Sequence, residues 1–245
     1  MDLELQGKRA LVTGGSRGIG RAIALEFARH GMQVAAAHVR DSDASASLAT
    51  ELEGFGNGSH TVKADLGGDE AAAQDLSDAV VERFGGIDVL VNNAGVVSHA
   101  MLDMDLAEWH RVLDTNLTGM FLVTRAVVPH MPDGGSIINM TSAAAMVGMV
   151  ARSHYTASKS GVMGFTRSLC KELGPRQIRV NAIAPGIIDT DQAAGLNEQQ
   201  RARYAGMAAL GRLGNADDIA GATLFFASNL SRFVNGVILN VDGGI

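Results

Sequence analysis

Short aliphatic runs alternate with longer helical patterns along almost the whole 245-residue chain, and this alternation restricts the fold more than any other feature. Runs such as Val34-Ala35-Ala36-Ala37 and Val89-Leu90-Val91 do not alternate apolar with polar residues, so they predict strands covered on both faces. Strand candidates are residues 9–12, 33–39, 60–64, 89–92, 136–140, 179–183 and 237–241. Between them lie helix candidates at 19–30, 44–53, 70–84, 106–130, 155–173 and 217–227. Asp105-Leu106-Ala107-Glu108 has the form of a capping box ahead of Trp109, and Gly31 and Gly174 sit where helix C-caps belong. Strand–helix alternation at this spacing predicts one doubly wound α/β domain over 1–245, with a parallel sheet of about seven strands and helices on both faces. The longest irregular stretch, 186–214, predicts a lid over about 187–209.

Composition agrees with that architecture. Hydrophobic residues are 47% and charged residues 19%, which excludes a disordered or coiled-coil chain. Aromatics are only 4%, so the core is aliphatic. A net charge of −6 argues against nucleic acid as a partner, because phosphate binding needs a basic face. The single cysteine, Cys170, allows no intrachain disulfide and fits a reducing compartment. The acidic start Met1-Asp2-Leu3-Glu4 lacks a signal-peptide pattern, and the longest apolar stretch, 143–151, is too short to span a bilayer. The expectation is a cytoplasmic protein with no membrane partner.

The first strand runs into Gly14-Gly15-Ser16-Arg17-Gly18-Ile19-Gly20, and a helix pattern follows at once. Glycines at 14, 18 and 20 suit a tight turn, close backbone approach to a pyrophosphate, and close helix–strand packing. The helix N-terminus adds free N–H groups and a positive dipole end for the anion. An ordinary glycine-containing βα turn has the same appearance. The end of the second strand then selects the dinucleotide, since a carboxylate there suits the ribose hydroxyls of NAD and cations suit the NADP 2′-phosphate. This chain has His38 at that position, Arg40 after it, and Arg17 in the glycine turn; its first carboxylate is Asp41. NADP(H) is therefore expected ahead of NAD(H), the alternative being that both arginines are solvated surface residues.

The fifth strand ends at Ser142, and Tyr155 and Lys159 follow at i and i+4 of a helix, which places them on one face. A nearby ammonium favours the phenolate, so Lys159 is expected to lower the Tyr155 pKa, and such a tyrosine can exchange a proton with a carbonyl oxygen. Ser142 can hydrogen-bond the same oxygen. The histidines are scattered, and no Cys or His cluster has metal-ligand spacing, so no metal is expected.

Taken together, Thr13-Gly14-x-x-x-Gly18-Ile19-Gly20, Asn92-Asn93-Ala94-Gly95, Asn116, Ser142, Tyr155-x-x-x-Lys159 and Pro185-Gly186 resemble the short-chain dehydrogenase/reductase family over essentially the full chain. The resemblance implies a Rossmann-type fold. It implies Tyr155 as general acid in reduction, and Lys159 as the residue that lowers its pKa and binds the nicotinamide ribose. It further implies Ser142 as the group that polarises the carbonyl, and Asn116 as the holder of a water linked to Lys159. Asp65 and Leu66 would meet the adenine, and Asn93, Ala94 and Gly95 would line the adenosine side. Pro185, Gly186, the Ile188 backbone and Thr190 would border the nicotinamide. A homotetramer is implied through the two long helices before and after the fifth strand and the C-terminal region, with Ala157, Gly161 and Gly164 allowing close helix contacts.

Within the family the chain is most similar to 3-oxoacyl-acyl-carrier-protein reductases, on Asp189-Thr190-Asp191, Gln200-Arg201-Ala202, Gly211-Arg212-Leu213-Gly214 and Val241-Asp242-Gly243-Gly244. It departs from them before the fifth strand, where His130-Met131-Pro132-Asp133-Gly134-Gly135-Ser136 contains no Lys or Arg to meet an acidic carrier; Arg176, a second basic position, is kept. The substrate expected is a small ketone or alcohol, either a carrier-bound 3-oxoacyl thioester or a free, polyketide-like or cyclic ketone. Pocket candidates are 96–101, 143–154 and the lid, with Met101, Met146, Met149 and Met207 either lining the pocket or filling core. His99 and His154 are candidate substrate contacts, with surface or core placement the plainer reading of each. Two alternatives stand beside the ketoreductase. One is an NAD-dependent alcohol dehydrogenase of the same family. The other is a non-catalytic nucleotide-responsive module, which the retention of all four catalytic residues disfavours.

Overall fold

The structure, a computed structural model, describes residues 3–190 and 195–245. Seven parallel strands form one sheet in the order β3-β2-β1-β4-β5-β6-β7. They are β1 (Arg9–Val12), β2 (Gln33–His38), β3 (His60–Lys63), β4 (Val89–Asn92), β5 (Ser136–Met140), β6 (Arg179–Pro185) and β7 (Ile238–Val241). The helices are α1 (Gly18–Arg29), α2 (Asp43–Glu53), α3 (Glu70–Phe84), α4 (Leu106–Leu113), α5 (Gly119–Val127), α6 (Ala144–Val147), α7 (Ser153–Glu172), α8 (Glu198–Ala205) and α9 (Ala216–Ala227).

The unbroken aliphatic runs have the cause expected of them. Successive strand residues point to opposite faces, and each face meets its own helical layer. Ala10, Val12, Val34, Ala36, Val91 and Ile138 join one core with Ile23 and Phe27 of α1 and Phe226 of α9. Leu11, Ala35, Ala37, Leu90 and Ile137 join the other with Leu76 and Val80 of α3 and Val123 of α5. A polar residue at either parity lies in one of the cores and needs a partner there: Asn92 Nδ2 donates to Asn139 Oδ1 at 2.9 Å, and Asn139 Nδ2 to Thr166 Oγ1 at 3.0 Å.

The strand order reverses between β1 and β4, where Val12 pairs Val91. Doubly wound sheets bind ligands outside the carboxyl ends of the strands at such a point. The glycine turn after β1 and the Asn93-Ala94-Gly95 segment after β4 both open there.

Three expectations need correction. The helix expected over 106–130 is interrupted by a π turn at Asp114–Thr118, and it ends in a 3-10 turn at Val128–His130. The capping box is only half formed: Asp105 accepts the Glu108 N–H at 2.8 Å, but the Glu108 carboxylate turns instead to Ser98 and Arg111. Gly31 does have the left-handed φ of +78° that follows a helix end. The segment read as irregular contains α8, closed by a reciprocal Asn197–Gln200 capping box. Residues 191–194 of the expected lid, Asp191 among them, lie outside the described residues. No helix among the described residues is long and apolar enough to cross a membrane.

Candidate active site

The glycine turn is fastened to the end of β4 rather than left to its own loop. The Thr13 hydroxyl accepts the N–H groups of Asn93 and Ala94, each at 3.0 Å, and donates to Val91 O at 3.3 Å. The Asn93 amide donates back to Thr13 O at 3.0 Å and Gly14 O at 3.1 Å. Asn93 is thus a brace for the turn. Two glycines are required by geometry. Gly18 has φ +54°, and an added Cβ would face Thr190 at 3.6 Å. A Cβ on Gly20 would lie 2.2 Å from Gly14 O and 2.6 Å from Asn93 Nδ2. Arg17 occupies the N-cap of α1 without a side-chain cap bond, and no acidic residue sits in the first turn. Unclaimed N–H groups and a backbone stripped of Cβ atoms together fit a pyrophosphate.

At the end of β2, His38 is buried, and its Nε2 lies 3.4 Å from Asp41 Oδ1. Lys63 Nζ donates to Asp41 Oδ2 at 2.6 Å, and the ammonium, with His38 behind it, holds this carboxyl below its ordinary range. The first carboxylate after β2 is therefore engaged by a lysine. Arg17 and Arg40 are exposed, and neither has an ion pair among the described residues. Val39 and Asp65 line a groove of about 440 Å³ beside them, and Leu66 is buried next to it. Two exposed arginines at this corner suit a 2′-phosphate better than two bare ribose hydroxyls.

The reactive groups come together above β5. Tyr155 and Lys159, on one face of α7, are both buried, and Lys159 Nζ lies 6.0 Å from the Tyr155 ring centre. The ammonium donates to Met140 O at 2.9 Å, and burial pushes its pKa down to about 8. The Ser142 hydroxyl stands beside the Tyr155 phenol and pulls its pKa down, and it accepts Ala144 N–H at 3.2 Å. The loop carrying Ser142 is tied to the Pro185-Gly186 segment by Ala143 N–H to Pro185 O at 2.9 Å.

The expected lowering of the Tyr155 pKa does not occur in this structure. Burial pushes the phenol above its ordinary value, while the Ser142 hydroxyl and the charge of Arg152 oppose that rise without overcoming it. The physical reason is the dry pocket, where desolvation disfavours a phenolate and an ammonium alike. A protonated tyrosine is the form that can donate to a carbonyl oxygen.

Asn116 lies in the π turn, a geometry frequent at functional sites. Its side chain takes Val96 N–H at 2.7 Å and donates to Val96 O and to Ser158 Oγ, each at 3.0 Å. It holds the β4 exit against α7 and makes no direct bond to Lys159. Ser158 is a partner that no sequence pattern singled out, and Val96 was expected only as part of the pocket segment.

Residues 14–245 match the family model described as Enoyl-(Acyl carrier protein) reductase. The chain is 39% identical over its whole length to the 3-oxoacyl-acyl-carrier-protein reductase of Aquifex aeolicus, all of which is covered. The chain belongs to the short-chain dehydrogenase/reductase family. Another relative, the L-rhamnose 1-dehydrogenase (NAD(P)(+)) of Azotobacter vinelandii, is 41% identical across 97% of this chain and 96% of the relative. A short-chain dehydrogenase from Burkholderia cenocepacia, solved in complex with NADP, superposes with a TM-score of 0.92 at 37% identity, covering 98% of each chain.

Around this family core the structure places the remaining candidates. Met101, Met146, Met149 and Met207 are all exposed, at 41–62% of their surface, so they are not core methionines. His154 is fully buried, with Nε2 2.7 Å from Ser98 Oγ, and is no direct substrate contact. His99 is exposed and accepts a hydrogen bond from Arg152 at 2.6 Å. The base of the lid is fixed by Asp189 N–H to Gly214 O at 2.8 Å and Gly214 N–H to Ile187 O at 3.0 Å. Arg176 is engaged within its own chain, by Asp133 at 3.1 Å and by the Val128 and Met131 carbonyls.

Proposed function

We propose that this protein is an NADPH-dependent ketoreductase in which Tyr155 delivers the proton. The observation that carries this reading is the buried cluster of Tyr155, Ser142 and Lys159 at the carboxyl end of β5, beside a glycine turn shaped for a dinucleotide. NADP(H) would be held by the glycine turn from Gly14 to Gly20, by Arg17 and Arg40 at the 2′-phosphate, by Asp65 and Leu66 at the adenine, and by the segment from Pro185 to Thr190. When bound, its nicotinamide supplies the hydride. Ser142 holds the carbonyl oxygen and orients the Tyr155 hydroxyl toward it. Tyr155, kept protonated by burial, gives that oxygen its proton. Lys159, with a pKa near 8, can pass a proton onward near neutrality, and Asn116 fixes the loop and helix that hold it.

A free ketone is favoured over a carrier-bound thioester. The position expected to meet an acidic carrier has no cation at 130–136, and Arg176 is already neutralised by Asp133. Steering of an acidic protein onto this surface is therefore weak. We also propose a cytoplasmic homotetramer. Phe121 and Arg125 of α5 and the open site at Gly164 of α7 would form one contact face, and exposed Leu230, Phe233 and Ile245 another. Gly161 is already used within the chain, where an added Cβ would lie 2.7 Å from Leu117.

The test is NADPH oxidation with a panel of ketones, for wild type and Tyr155→Phe. Removing a general acid lowers turnover by about 10²–10⁴-fold while leaving NADPH binding intact. A variant as active as wild type would overturn the assignment of Tyr155.

A further inference from the structure

Arg152 is the residue immediately before α7, three positions ahead of Tyr155, and caps the helix with no side-chain bond. Its guanidinium bridges the two loops that flank Tyr155. Nη2 donates to His99 Nε2 at 2.6 Å in the loop after β4, and Nη1 lies 3.7 Å from Met149 Sδ in the loop after β5. Ala100 N–H to Ala151 O at 2.9 Å joins the same loops. Ala151 has φ +58°, a left-handed conformation that strains a residue with a Cβ and that tends to be kept where a ligand is clamped.

The charge of Arg152 is uncompensated. No carboxylate bonds to it among the described residues, while Glu108, on α4 nearby, is occupied by Arg111 and Ser98. Its Nε is buried and has no acceptor. The same charge acts on Tyr155, pulling the phenol pKa down against burial, so the guanidinium stands within Coulombic reach of the reacting hydroxyl. In the two loops it joins, exposed side chains include the apolar Met101, Met149 and Val150, and Met149 is in contact with it. A site with one free guanidinium in an apolar rim selects an apolar molecule with one anionic end.

We propose that the preferred ketone carries its own carboxylate, which Arg152 binds close to the carbonyl that meets Tyr155. This rests on the ketoreductase reading and names its substrate class as oxo acids. His99 acts through Arg152, accepting one guanidinium hydrogen and holding the plane in place. A thioester offers no charge at this point, so the site discriminates against carrier-bound substrates.

The experiment measures binding without turnover, by titration calorimetry on the enzyme saturated with NADP⁺. The probes are 2-oxobutanoate and 4-oxopentanoate, each beside its methyl ester. A charge-assisted contact of about 1.5–3 kcal/mol predicts that one acid binds about ten- to a hundredfold tighter than its ester. Arg152→Gln should bring that ratio to one, Arg152→Lys should keep part of it, and His99→Gln, the milder change, should reduce it. The ratio is the readout, because Arg152 also tunes Tyr155 and its loss lowers both rates. If wild type binds both acids no better than their esters, the inference is overturned. It is equally overturned if Arg152→Gln weakens acid and ester alike, the signature of a mere loop brace. Arg152-dependent acid binding in an enzyme that reduces no ketone with NADPH would keep the carboxylate site and reject the ketoreductase.

Discussion

Lys159 is a buried ammonium whose only hydrogen-bond partner among the described residues is a neutral carbonyl, and this has a measurable cost. Its pKa falls from 10.5 to about 8 through burial alone. At about 1.4 kcal/mol per pH unit, that difference is about 3 kcal/mol by which the folded state disfavours the charged lysine. Lys159→Met removes the charge and keeps most of the volume. It also strips Met140 O of its bond, a loss of about 1 kcal/mol. The cofactor-free variant should therefore be more stable than wild type by about 2 kcal/mol at pH 7, although it loses turnover. The sign with pH follows from the two proton affinities. Below pH 8 both states bind the proton and the full penalty applies. Between about pH 8 and 10.5 only the unfolded chain binds it, so wild-type stability rises relative to the variant as pH rises. Urea denaturation of both proteins from pH 7 to 9.5, without cofactor, measures the gap and its closure. A variant less stable than wild type at pH 7, or a gap that does not change with pH, would refute the reasoning.

Other perturbations test the dinucleotide end of the cleft. Gly20→Ala places a methyl 2.2 Å from Gly14 O, so the turn must shift. Overpacking of this kind costs about 1–3 kcal/mol, and fluorescence titration should show NADPH affinity falling at least about tenfold. Wild-type affinity in that variant would remove the turn from the binding site. Arg17→Gln with Arg40→Gln should weaken NADPH by about ten- to a hundredfold and leave NADH unchanged, since only the 2′-phosphate loses its partners. Equal losses for both cofactors would contradict the assignment.

The sheet was legible because burial on both faces leaves strands such as β1 and β4 aliphatic apart from Arg9 and Asn92 at their ends, a constraint local enough to read in four residues at a time. The break in the helix after β4 was not. Asp114-Thr115-Asn116-Leu117-Thr118 contains neither glycine nor proline, and the π turn is held by bonds to Val96 and Ser158 and by the close approach of Gly119 to Leu66 O. Those partners are distant in sequence. Glu108 illustrates the same limit, since its spacing from Asp105 suits a cap while Arg111 and Ser98 offer a stronger partnership in three dimensions. The proximity of Ser142, Tyr155 and Lys159 was readable from spacing, but their proton affinities were not. Burial decides those, and it pushed Tyr155 opposite to the direction that the Lys159 charge alone suggests. Arg152 was invisible for a related reason: sequence shows a cation before a helix but not that no carboxylate reaches it.

The central claim is that this cleft moves hydride from NADPH to a ketone while Tyr155 supplies the proton. The most direct measurement is isotope transfer from NADPH deuterated at the nicotinamide C4, with the alcohol product analysed by mass spectrometry for wild type and Tyr155→Phe. The account predicts one deuterium at the carbinol carbon of the wild-type product, and a rate lower by about 10²–10⁴-fold in the variant at unchanged NADPH affinity. Alcohol formed without deuterium, or deuterium transferred at the wild-type rate by Tyr155→Phe, would contradict it.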